Sequence, residues 1–235
     1  MELRELQARI DHYISLLDEE ARADLKHRLA ELTHAYPFSA FDYMLMYLQH
    51  RGVLSFDSYE DLRSIYVASN PHLALFEQDP RQFGQDWGPL HLIALHPELR
   101  RGDRSLDPAF DRQYDLWLDG IRIGVRAARA VDAAAHGSFV EKALRYGTDR
   151  PYFMNFQQLD LAHSDAFVFI GVWVDTLVYW ILSSEEAENN KYLMHQRRGG
   201  VDFQISLRSA NLDEFNEHLV RPQELLDRLK QLASQ

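Results

Sequence analysis

The stretch DLWLDGIRIGVRAARA, Asp115 to Ala130, decides how this chain is read. Asp119-Gly120 is a two-residue turn signal, because a tight hairpin turn needs positive φ at its central positions and these residues tolerate it. Such a turn fixes the register of the flanking strands. Leu118 falls opposite Ile121, Trp117 opposite Arg122, Leu116 opposite Ile123 and Asp115 opposite Gly124. Alternation then sorts the side chains by face. Tyr114, Leu116, Leu118, Ile121, Ile123 and Val125 make an apolar face; Gln113, Asp115, Trp117, Arg122, Gly124 and Arg126 make a polar one. Asp115 is thus directly across from Gly124 and diagonal to Arg126.

Outward from the hairpin, the composition changes. Residues 2–34 carry Leu3, Leu6, Ile10, Tyr13, Leu16 and Leu17 at helical spacing, and Asp18 can cap a second helix with Ala21, Leu25, Leu29 and Leu32 on it. Ser39 with Asp42, and Ser58 with Asp61, resemble capping boxes for two more helices, the first stopped by Gly52. A further helix is expected over about 81–94. The polar linker HPELRRGDRSLDPAF follows. Beyond it, strands are expected at Arg112–Leu118, Ile121–Ala128, Tyr152–Leu159, Asp165–Val174, Thr176–Leu182 and Asp202–Leu207. AFVFIGVWV is nearly unalternating, as in a strand buried on both faces. Helices are expected at the start of SSEEAENNKY, capped by Ser183 or Ser184, and at Asn211–His218 and Pro222–Ala233. The expected division is a helical region over 1–95, serving recognition or dimerisation, and an α/β domain over 96–235.

The 235 residues are 46% hydrophobic, enough for a packed core. A net charge of -11 argues against a generic nucleic-acid-coating protein. Most of that charge lies in the first 99 residues. Arg100, Arg101, Arg104, Arg112, Arg122, Arg126 and Arg129 form one basic cluster; Lys191, Arg197, Arg198 and Arg208 form another. Together they can build a DNA surface; separately they are solvated faces. The absence of cysteine excludes disulfides, thiolate zinc sites and cysteine nucleophiles. No run approaches the roughly 18–20 apolar residues of a membrane helix, and MELRELQARI lacks a signal core, so the cytoplasm is the default expectation. No HExxH, P-loop or serine-hydrolase elbow occurs. NNKYLMHQRRGGVDFQI, cationic and with Gly199 and Gly200 free to bend, is the expected binding loop.

The order D…GIRIxVxAAR resembles the core hairpin of the PD-(D/E)XK phosphodiesterase superfamily, to which many type II restriction endonucleases belong. The later FMNFQQLDLAHSDAFVFIGVWVDTLVYWILSSEEAENNKY resembles the tails of some of those enzymes, and the likeness covers roughly residues 110–208. It implies an α+β fold: an N-terminal helical region followed by a restriction-endonuclease-like mixed β-sheet flanked by helices. It implies sequence-specific recognition of double-stranded DNA by a homodimer and Mg2+-dependent phosphodiester hydrolysis. Asp115 would be the metal ligand and Arg126 a phosphate contact. Gln157 or Gln158 would assist, only one of them reaching the site if the strand alternates regularly. Arg122, Arg129, Lys191, Arg197 and Arg198 would hold the DNA.

The chain departs from that pattern at two positions. Gly124 stands where the family has glutamate, and Arg126 where it has lysine. One carboxylate makes a weak magnesium site. Arginine cannot take a proton from water, although it can pair bidentately with a phosphate. Glu98, Asp111 or Glu141 are candidates for a second carboxylate and Lys142 for the missing lysine. Restoring Gly124→Glu with Arg126→Lys is expected to raise cleavage if the framework is intact. The alternative is a catalytically impaired DNA-binding module of the same fold, in a defence system. An interaction protein with no nucleic-acid role is the third reading, favoured by the net charge.

Overall fold

The structure is a computed structural model describing residues 3–31, 40–78, 83–137, 139, 142–197 and 201–232. It divides into two compact units, Met1–Leu73 and Ala74–Gln235. The helical unit contains α1 (Leu3–Ser15), α2 (Glu19–Glu31), α3 (Ala40–His50) and α4 (Phe56–Ser69). Ile10, Leu17, Leu25, Leu45, Leu48 and Leu62 are among the residues of its core. Asp18 accepts from the backbone N–H of Ala21, as a cap should. Gly52 closes α3 with φ +72. The cap of α4 is Ser55, not Ser58, since the Ser58 N–H donates to the Ser55 hydroxyl. The Ser39–Asp42 cap lies outside the described residues.

The second unit begins at α5 (Ala74–Glu77) and a π-helical turn, Phe83–Trp87, which leads into α6 (Gly88–Leu95). The sequence assigned these residues to the helical region. They belong instead with the sheet because Gly88 lets α6 approach it closely: a Cβ there would meet Val125, Ala127 and Ile170 at 3.1–3.7 Å.

The strands are β1 (Arg100–Arg101), β2 (Leu116–Leu118), β3 (Ile121–Arg129), β4 (Val131–Asp132), β5 (Tyr152–Leu159), β6 (Ala166–Val172), β7 (Leu177–Ser183), β8 (Leu193–Arg197), β9 (Val201–Arg208) and β10 (Leu219–Val220). They form a six-stranded mixed sheet, β1-β2-β3-β6-β7-β10, and a four-stranded antiparallel sheet, β4-β5-β9-β8. Only the β3–β6 pair is parallel among the described pairings. Helices α7 (Ser184–Glu188), α8 (Leu212–Phe215) and α9 (Leu225–Leu232) flank the strands. Ser183 caps α7 with a full capping box to Glu186. The mixed α+β architecture with flanking helices is as the sequence implied.

The hairpin has the expected register: Leu116 to Ile123, Trp117 to Arg122 and Leu118 to Ile121. Asp119 and Gly120 both take positive φ, +49 and +99. β2 is shorter than expected, because Arg112 turns at φ +65 and the ladder begins only at Leu116. β6 is buried along its whole length, as its apolar run predicts. Phe167, Phe169 and Trp180 of the larger sheet, with Trp173 just past β6, pack with Met154, Phe156, Ile205 and Leu207 of the smaller one in a single core. The expected binding loop after α7 is mostly strand: β8 and β9 pair from Leu193↔Ile205 to Arg197↔Val201.

Candidate functional site

Asp115 sits one residue before β2. Its carboxylate accepts from the Val125 N–H at 2.8 Å and from Arg126 Nη1 at 2.6 Å. Arg126 reaches further. Nη1 also donates to the Val125 carbonyl at 2.7 Å, Nε to the carbonyls of Gln157 at 2.9 Å and Gln158 at 3.0 Å, and Nη2 to the Gln158 carbonyl. The Asp115 and Arg126 side chains are 23% and 18% exposed, so the pair is largely shielded. Arg126 therefore fastens the hairpin to β5, rather than offering itself to a phosphate as the sequence suggested. These contacts use four acceptor oxygens and four of the five guanidinium N–H groups, so a phosphate that took more than the remaining Nη2 hydrogen would have to displace them.

Gly124 does not leave a vacant polar site either. β3 and β6 run parallel with Gly124 beside Phe167. A Cβ at position 124 would lie 2.7 Å from two atoms of the Phe167 ring and 3.2 Å from the Ser164 hydroxyl. Phe167 is fully buried. The nominally polar face of the hairpin therefore turns under the core at its middle, and a glutamate at 124 has no room to extend. The expectation that Gly124→Glu completes a metal site is overturned by this ring.

Asp115 is a poor sole magnesium ligand, since its carboxylate already neutralises a guanidinium. Among the described residues, no three His, Asp or Glu side chains converge on a common point suited to a metal. Glu98 is exposed, and Asp111 faces Arg104 at 3.5 Å. Glu141 lies outside the described residues, while Lys142 rests over Phe139 at 5.4 Å. The residues of the hairpin do not fit the magnesium ion that the resemblance implies.

The glutamines are placed differently from expectation. Phe156 pairs with Ile205 and Leu159 with Phe203, so Gln157 and Gln158 together oppose one residue of β9. This is a β-bulge. Both side chains are exposed, whereas regular alternation would have shown one. Their carbonyls, not their amides, meet Arg126.

Among the described residues, the expected DNA contacts Arg122, Arg129 and Lys191 do not form one surface. Arg122 gives its Nε and Nη2 to the two oxygens of Asp165 at 3.0 and 2.6 Å, and its N–H to Oδ2 at 2.8 Å. Arg129 is 6% exposed, its guanidinium held between Phe83 at 4.1 Å and Phe139 at 4.9 Å, with Nη2 on the Gln78 carbonyl; it is a packing residue and not a DNA contact. Lys191 pairs with Glu214 beside a groove of about 580 Å³ that Glu186, Glu217 and His218 also line. Those acids repel a phosphate backbone, so Lys191 does not extend a DNA surface. Arg197 ends β8, and Arg198 lies outside the described residues.

The sequence missed two features. Asp165, read as a plain strand end, is the partner that orients Arg122. Arg100 and Arg101, taken as linker, form β1 and place Arg100 beside Trp117. A cross-strand row Arg100–Trp117–Arg122 results, with Arg100 exposed and Trp117 half-buried. The doublet of arginines after Leu99 was the available signal, but a two-residue strand has no periodicity.

Asp165 also sets an acid response. Its burial pushes the carboxyl upward, but the Arg122 guanidinium and backbone N–H outweigh that and hold the pKa below the ordinary 3.8. A depressed carboxylate stabilises the fold fully above its unfolded value, and the gain disappears as pH falls through the folded value. The expected outcome is loss of stability below about pH 4, weakened in Asp165→Asn. Urea midpoints measured between about pH 2 and 6 check it; identical acid limbs for the two proteins would refute it.

No family model, curated protein or solved structure matches the chain. No helix among the described residues is long and apolar enough to cross a membrane.

Proposed function

We propose that the chain binds double-stranded DNA through the β1–β2–β3 edge of the mixed sheet without hydrolysing it. It is then the binding-only form of a restriction-endonuclease-like fold, acting in a defence system. The observation that carries the non-hydrolytic half is the Asp115–Arg126 pair next to a glycine roofed by Phe167. The space in which a metal, a water and a scissile phosphate would meet is filled by a guanidinium and a ring. The binding half is supported by the Arg100–Trp117–Arg122 row and by exposed Arg101, Arg104 and Arg112 on the segment that leads from β1 to β2. Guanidinium groups meet phosphates bidentately; Asp165 takes the Nε–Nη2 side of Arg122 and leaves its Nη1 side to face a phosphate. A palindromic target would be met by a homodimer, which sedimentation of the complex measures.

Phosphate contacts release counterions, so affinity should fall steeply with salt. Three contacts weaken binding about 40-fold between 50 and 200 mM salt, at a slope of about -0.9 per phosphate. Arg100→Ala is expected to lower that slope by about 1, read by fluorescence anisotropy on a mixed-sequence duplex. An unchanged slope would remove β1 from the interface. Plasmid incubated with Mg2+ or Mn2+ is expected to remain uncut. Metal-dependent cleavage abolished by Asp115→Asn would instead restore Asp115 as a magnesium ligand and the chain as a nuclease.

A further inference from the structure

We propose that Gln157 and Gln158 are a base-reading pair, presented by the bulge of β5 toward adenine edges in the major groove of double-stranded DNA. The inference rests on the DNA-binding reading above and names what that site prefers.

The bulge is held on both sides. Phe156 and Leu159 anchor it in the core, and Arg126 grips the carbonyls of both glutamines. Its backbone is therefore fixed, while both side chains project into solvent. Among the described residues, neither side-chain amide has a hydrogen-bond partner. Gln158 adopts φ +59, a conformation that glycine takes freely and that disfavours any residue with a Cβ. The fold thus makes no use of either amide and is hindered by one of them. A glycine at 158 would serve the bulge better, which leaves the side chain available to a partner outside the chain.

The chemistry of the side chain names the partner. A glutamine amide offers one donor and one acceptor side by side, the pattern that matches N6 and N7 of adenine in the major groove. The rigid mount matters because base readout depends on geometry, whereas phosphate contacts tolerate mobility. Arg126 links the bulge to Asp115, two residues before Trp117 on the hairpin that carries the arginine row. Bulges recur beside functional sites because they redirect side chains in this way.

The test is selection of bound sequences from a random duplex library by the parent and by Gln157→Ala/Gln158→Gly. The glycine suits the left-handed position, and a thermal melt checks that the variant is folded. The parent is expected to enrich a motif containing adenine. In the variant the ratio of affinity for that motif over random duplex should fall roughly tenfold or more, the worth of a bidentate amide–adenine contact, with the salt slope retained. A parent that binds duplex without base preference, or a variant that selects the same motif, overturns the base-reading role and leaves the DNA-binding reading standing. A parent that binds no duplex overturns both.

Discussion

Arg126→Ala is expected to lower the unfolding free energy by about 3–5 kcal/mol, the usual consequence of removing one member of a shielded, hydrogen-bonded ion pair. The loss has three sources. Asp115 keeps a charge at 23% exposure with only the Val125 N–H beside it. The carbonyls of Gln157 and Gln158 lose their donor. The bulge, with Gln158 at φ +59, loses the group that holds it. For a unit of this size the melting temperature should fall on the order of 10 °C, measurable by calorimetry. Asp115→Asn is the milder control. It keeps an acceptor for the Val125 N–H and should cost about 1–2 kcal/mol. An Arg126→Ala protein melting with the parent would show that the guanidinium is not structural, and would return it to the pool of phosphate ligands.

The second large effect is at Gly124. Gly124→Glu places a Cβ 2.7 Å from the Phe167 ring, a separation that side chains do not adopt. Overpacking alone costs about 1–3 kcal/mol, and a carboxylate forced against a buried ring adds its own desolvation. The expected total is above about 4 kcal/mol, seen as loss of soluble, cooperatively melting protein. The double replacement Gly124→Glu/Arg126→Lys should therefore gain no cleavage, contrary to what the motif alone suggests. Gly124→Ala isolates the steric part. Pairing it with Phe167→Leu should recover at least about 1 kcal/mol relative to the sum of the two single changes, because the two positions share one space. Additive effects would mean that the ring does not confine position 124.

These two expectations mark where sequence reasoning about the site ends. In the catalytic pattern of the resembling enzymes, position 124 is the place of a glutamate. In the fold it is a place already taken by a side chain from another strand. The same holds for Arg126. Read along the hairpin, it is a cation diagonal to Asp115; read across the fold, it binds carbonyls of Gln157 and Gln158. Asp115 and Arg126 do meet, as the hairpin register required, but as partners to each other.

What the sequence by itself determined was local. The Asp119-Gly120 turn set the β2–β3 register, the span of β5 was legible from its apolar and aromatic residues, and Asp18 and Ser183 announced helix starts through short-range hydrogen bonds. Each depends on residues within a few positions of one another, where backbone geometry leaves few choices. Only the tertiary structure decided the rest: that β6 lies beside β3 and lays Phe167 over Gly124, that β5 bulges at two glutamines, that Arg129 is enclosed by Phe83 and Phe139, and that α5 and α6 belong to the unit of the sheet. These contacts join residues far apart in the chain. Which distant strand fills a given space is set by packing the whole core, and no periodicity in the sequence encodes it.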